Sequence, residues 1–136
     1  MAQWLDVCSV GDLQPDSGVC ALVEGRQVAI FCLLEQDDGG GGREFIRAAR
    51  MNSRPQLYAV GNYDPFGKAN VLSRGLCGDI GGQPVVASPL YKQHFNLQTG
   101  VCLEDATVKI PTYLIRIENG SVQINLSAMQ HDGAAL

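Results

Sequence analysis

What this 136-residue chain does without narrows its function before any motif is read. No apolar run approaches the roughly 20 residues that cross a bilayer as a helix, so no membrane span is expected. Positive charge is scarce: ten Lys and Arg stand against fourteen Asp and Glu, a net charge of −4. That balance suits neither nucleic acid nor any other phosphate-tracking role. There are two histidines and no Cys-x-x-Cys, so spacing offers no ready metal-ligand set. The glycine run at residues 39–42 lacks the GK[ST] ending of a phosphate loop. No Ser/His/Asp or Cys/His arrangement can be argued from spacing either. The opening MAQWLDVCSV has neither the basic nor the continuous apolar region of a secretory signal. A cytoplasmic protein is expected.

What is present fits one globular domain. Apolar residues make up 46% and charged residues 18%, enough to bury a single core. Sixteen glycines favour many short elements with tight turns over long helices. The five cysteines, Cys8, Cys20, Cys32, Cys77 and Cys102, lie mostly in apolar surroundings such as GVCAL and AIFCLL. They read as buried free thiols acting as small hydrophobes.

Taken in order, residues 4–10 alternate apolar and polar and read as a first strand. Residues 19–23 and 26–34 follow as strands joined by a tight turn at Glu24-Gly25. QVAIFCLL is nearly all apolar, the pattern of a strand buried on both faces. Residues 35–55 then break the pattern, with acidic residues, four glycines and REFIRAARMNSR. Arg43, Arg47, Arg50 and Arg54 are spaced to line one face of a short helix that Pro55 stops. That face is either a solvated surface or a docking site for an acidic partner.

Strand pattern resumes at QLYAV and runs directly into GNYDPFG, the first of two turn-rich tips; SPLYKQHF is the second. Residues 107–110 and 113–118 read as strands parted by Pro111. Asn119-Gly120 is a strong hairpin turn, leading to a last strand at residues 122–126. Residues 127–136 are small and polar, the composition of a flexible tail. Many short strands between close turns predict an all-β sandwich or small barrel over residues 1–126, with one helical insertion.

The framework around the tips (QLYAV, the proline-bearing first tip, LSRG, VVASP and HFNLQTG) resembles the Rieske-type iron–sulfur domain. The resemblance implies an antiparallel β sandwich or barrel whose small second β lobe carries both tips. Members of that family hold a [2Fe–2S] cluster between two cysteines and two histidines. The matching positions here are Asp64, Phe66, Ser88 and Tyr91, so the resemblance implies a domain without cluster ligands. GNYDPFGKANVLSRGLCGD, PVVASPLYKQHFNLQTGVCLED and KIPTYLIRIENGSVQI are similar to the small subunits of NAD(P)H-dependent assimilatory nitrite reductases. That likeness implies a non-catalytic partner of a large subunit bearing FAD, an iron–sulfur cluster and sirohaem, which reduces nitrite to ammonium. A cluster-free binding or regulatory module is the alternative, and a Rieske ferredoxin a third reading that the missing ligands oppose.

On the residues themselves, Asp64 before Pro65 reads as a turn cap, with a ligand or general base as the sharper alternative. If the tips meet, a phenol–carboxylate bond between Asp64 and Tyr91 would clasp them, and Phe66 would fill the space of a cluster. His94 reads as a strand-end histidine with a satisfied hydrogen bond. Pro65, Phe66 and Leu90 form a candidate docking surface, and Arg43, Arg47 and Arg50 a second one.

Overall fold

The computed structural model describes residues 4–33 and 56–129. The expected helix and arginine face at residues 43–54 lie outside the described residues, as does most of the expected tail.

Among the described residues, six strands make the principal sheet, in the order β1-β11-β10-β4-β3-β2, every pairing antiparallel. They are β1 (Leu5–Ser9), β2 (Gly18–Val23), β3 (Arg26–Leu33), β4 (Gln56–Gly61), β10 (Thr112–Glu118) and β11 (Ser121–Met129). The sheet curls until its edge strands β1 and β2 lie near each other, a nearly closed barrel. Two hairpins are set by sequence. Glu24 and Gly25 sit at φ 50° and 83°, and Asn119 and Gly120 at 53° and 79°. Positive φ at both central residues is the type I′ signature, whose twist matches that of the flanking strands. β11 continues to Met129, three residues past the end expected from the sequence.

A small lobe packs on the outside of this barrel. It holds the ribbon β5 (Tyr63–Asp64) and β6 (Ala69–Asn70), and the three-stranded sheet β7 (Leu76–Ile80), β8 (Gln83–Ala87) and β9 (His94–Asn96). β3 explains why the two parts form one body. Its residues Val28 to Cys32 are all fully buried, because alternate side chains enter different cores. Val28, Ile30 and Cys32 point into the barrel with Ala59, Tyr113, Val122 and Ile124. Ala29 and Phe31 point outward and are covered by Leu72, Val86, Phe95 and Leu97 of the lobe region. The near-continuous apolar run is thus the seam between two cores.

One expected strand does not form. Residues 107–110 make a single bridge, Val101 to Lys109, within an otherwise irregular loop. Asp105 diverts the chain there: its Oδ1 accepts from Thr107 N at 3.1 Å and Thr107 Oγ1 at 2.5 Å. Such a side-chain turn competes with strand pairing.

Candidate functional site

Both tips leave the lobe on the same side and are built to one plan. The first is Asp64-Pro65-Phe66-Gly67-Lys68 and the second Ser88-Pro89-Leu90-Tyr91-Lys92. In each, the side-chain oxygen of the first residue accepts from the backbone N–H two residues on: Phe66 N to Asp64 Oδ1 at 2.9 Å, Leu90 N to Ser88 Oγ at 3.2 Å. The carbonyl of that same residue accepts from the fifth: Lys68 N to Asp64 O at 2.7 Å, Lys92 N to Ser88 O at 3.1 Å. Proline at the second position presets φ for the turn. Each fifth residue is a lysine in the left-handed region, φ 57° for Lys68 and 67° for Lys92.

The two turns are locked face to face. Asp64 and Ser88 are both fully buried, and Ser88 Oγ donates a short hydrogen bond to Asp64 Oδ2. Every oxygen of the Asp64 side chain is therefore used, one within its own turn and one across to the other. Gly67 permits the close approach. A Cβ there would run into Leu90 Cδ1 and come within 3.1 Å of Asp64 Oδ2.

The clasp expected between Asp64 and Tyr91 is not the one that forms. The five-residue turn buries its first residue and lifts its fourth onto the surface, leaving Tyr91 64% exposed, while the Ser88 hydroxyl already takes the free carboxylate oxygen. Asp64 does cap its turn as expected. Phe66 turns inward, half-buried against the lobe core, its ring centroid 6.1 Å from that of Phe95 at 44°. Pro65 is half-buried and Leu90 exposed. Arg43, Arg47 and Arg50 lie outside the described residues. The roles of Ser88, Lys68 and Lys92 were missed, although the repeated spacing x-Pro-x-x-Lys was a signal for all three.

Behind the tips, Asn62 ties lobe to barrel. It is buried, donates to Gln27 Oε1 of β3 at 3.0 Å and accepts from Ser73 N at 2.7 Å. His94, beyond the second tip, is held by Glu104: its ring Nδ1 lies 2.6 Å from Oε2, and its N–H donates to Oε1 at 2.8 Å. The expectation of a hydrogen-bonded strand-end histidine is met.

The residues present do not fit a [2Fe–2S] cluster. That centre needs two thiolates and two imidazoles converging from the tips. The four positions offer instead a carboxylate and a hydroxyl bonded to each other, a phenyl ring packed on Phe95, and an exposed phenol. Among the described residues, no group of three or more His, Cys, Asp or Glu is placed to hold a metal ion. The thiols are not poised to ligate either. Burial, reinforced by the nearby Asp16 carboxylate, pushes Cys32 and Cys77 up to about 12. The five cysteines are free but not uniformly buried: Cys32 and Cys102 are, Cys8 and Cys77 are half-buried, and Cys20 is exposed.

Comparison with known proteins gives the family of this fold. The family model of the Rieske-like [2Fe-2S] domain matches residues 3–39 and 42–125. The chain is 40% identical over 124 residues to the nitrite reductase (NADH) small subunit of Escherichia coli K12, covering 91% of this chain and 98% of that protein. It is 32% identical over 121 residues to the nitrite reductase [NAD(P)H] large subunit of Klebsiella oxytoca, covering 89% of this chain but 11% of that protein. Among solved structures, the nitrite reductase [NAD(P)H] small subunit from Erwinia carotovora superposes with a TM-score of 0.66 at 40% identity, covering 98% of this chain and 90% of that one.

Proposed function

The chain belongs to the Rieske-like [2Fe-2S] domain family, among the small subunits of NADH-dependent nitrite reductase, and from that membership we propose that it is a cluster-free accessory subunit. In this reading it binds a large subunit in the cytoplasm. FAD, an iron–sulfur cluster and sirohaem reside on that large subunit, which carries electrons from the nicotinamide to nitrite and yields ammonium. The chain itself contributes no redox centre and catalyses nothing alone.

One observation carries the partnership. A stretch resembling this whole domain occurs inside the Klebsiella oxytoca large subunit, as 11% of its length. A domain that occurs as a separate chain in one relative and as part of the reductase polypeptide in another works beside that polypeptide. The donor chemistry of the tips supports the accessory role, since two of the four positions that ligate the cluster in Rieske-type domains, Asp64 and Ser88, here bond to one another, and the other two are Phe66 and the exposed Tyr91.

Purification with and without the large subunit tests the reading. The isolated chain is expected to be colourless, without iron or acid-labile sulfide, and inactive towards nitrite. Added to its large subunit, it should form a stable complex and raise or stabilise nitrite-dependent NADH oxidation. Absence of a complex, together with full activity of the large subunit alone, overturns the assignment.

A further inference from the structure

The two lysines that close the tips are the least economical residues in the lobe. A left-handed φ strains a residue with a Cβ, a cost that glycine avoids. Both turns nevertheless carry lysine at the same position, at φ 57° and 67°, and both side chains are exposed. Strain repeated at equivalent positions on facing loops points to a demand other than folding. The surroundings fit that demand. Gly67 is in contact range of Leu90, so the segments 67–68 and 90–92 form one continuous surface. On it, Leu90 (46% exposed) and Tyr91 (64% exposed) stand beside the two cations. The only carboxylate in either tip, Asp64, is buried and bonded to Ser88. Within the two tips, a chain of net charge −4 thus presents two cations and no exposed carboxylate, beside an aromatic and an aliphatic centre. An apolar or aromatic centre with a charged rim is the anatomy of a protein–protein interface. Two lysines on an acidic protein are too few to track a phosphate backbone.

We infer that this paired-tip face, Leu90 and Tyr91 flanked by Lys68 and Lys92, is the surface by which the chain docks on the large subunit, against an apolar recess rimmed by carboxylates. The inference rests on the subunit reading above and specifies its contact. Phe66, named from sequence as a docking residue, is instead part of the support: packed on Phe95, it fixes the height of the first tip beneath the contact. The Asp64–Ser88 bond keeps the two lysines at a fixed separation, so the partner meets a preorganised face.

The test uses the full chain and its own purified large subunit, with affinity and association rate measured at two or more salt concentrations. Lys68→Glu/Lys92→Glu should slow association and weaken binding by about tenfold or more, and should flatten the salt dependence. Tyr91→Ala should weaken binding by about tenfold with little change in salt dependence. Lys68→Arg/Lys92→Arg should bind as the unaltered chain does. The milder pair Lys68→Gln/Lys92→Gln, checked by circular dichroism and thermal melting, gives the same reading should charge reversal disturb folding. If the unaltered chain binds and every variant binds equally well, the docking face is wrong while the subunit reading stands. If the unaltered chain does not bind at all, the subunit reading itself has failed and takes this inference with it.

Discussion

Asp64 and Ser88, twenty-four residues apart in sequence, share a hydrogen bond at the centre of the lobe, each also accepting a backbone N–H within its own turn. The pair joins two loops that no backbone ladder connects. Its removal should therefore loosen both tips together. Ser88→Ala leaves a buried carboxylate oxygen without a partner and should cost about 1–3 kcal/mol. Asp64→Ala should cost a similar amount, and the double variant clearly less than the sum. Tyr91→Phe should change stability by less than about 0.5 kcal/mol, since the phenol is exposed. Denaturant melts of the four variants check this; an additive Asp64/Ser88 cycle would show that the bond does not couple the tips.

Thiol chemistry should separate the cysteines by environment. The thiolate is the reactive form, and burial holds Cys32 and Cys77 near 12. In the native protein at about pH 8, an aromatic disulfide reagent should react in its fast phase with Cys20 alone, with Cys8 following slowly. Denaturation should release all five. Loss of the fast phase in Cys20→Ser identifies it; persistence would place a second cysteine at the surface.

Two glycines at φ +79° should respond very differently to alanine. At Gly120 a Cβ meets nothing within 4 Å, so Gly120→Ala should cost about 1 kcal/mol of backbone strain. At Gly100 a Cβ would collide with the Ile110 carbonyl and sit 3.2 Å from Thr112 Cγ2. Gly100→Ala should cost about 3 kcal/mol or more, or prevent folding. Expression level and melting temperature of the two variants give the comparison.

Glu104 should give a small acid-limb contribution to stability. Desolvation pushes its carboxyl up, but the hydrogen bonds from the His94 backbone and ring outweigh that and leave it below 4.5. A carboxyl lowered in the folded state binds protons less readily than in the unfolded chain. Its contribution is thus full above about pH 4.5 and is lost as pH falls through the folded value. Because the side chain is half exposed, the effect should stay under about 1 kcal/mol. Melts of Glu104→Gln between pH 6 and pH 3 should show a shallower decline than the unaltered chain; an identical decline would remove this group from the acid limb.

The strands were legible in sequence where a turn dipeptide and an alternating or fully apolar run agreed, as at Glu24-Gly25 with β3 and Asn119-Gly120 with β10. Residues 107–110 carry the same alternation, but the side chain of Asp105 captures Thr107 and wins over the ladder. At the site, the four degenerate positions and the turn cap at Asp64 were readable. The partner of Asp64 was not, because sequence gives no sign of which residue in a turn faces inward. Ser88 points to the centre and Tyr91 to solvent only once both loops have folded. The lysines were marked only by the repeated x-Pro-x-x-Lys spacing: a left-handed φ is rare outside glycine, and a lysine by itself does not announce one.

The pairing of β1 with β11, Leu5 opposite Ile124, has a consequence for synthesis. β1 is the first of the described strands to be made, and it finds its neighbour only when β11, the last of them, has left the ribosome. Until then β1 has no ladder, β10 lacks one of its two flanks, and the barrel interior around Val122 and Ile124 stays open. Closure must then be a late event dominated by contacts distant in sequence, a slow topology with a long-lived edge. A chain stopped before Ser121 would keep β3, β4 and the whole lobe, yet have no means of sealing the barrel on which the lobe rests.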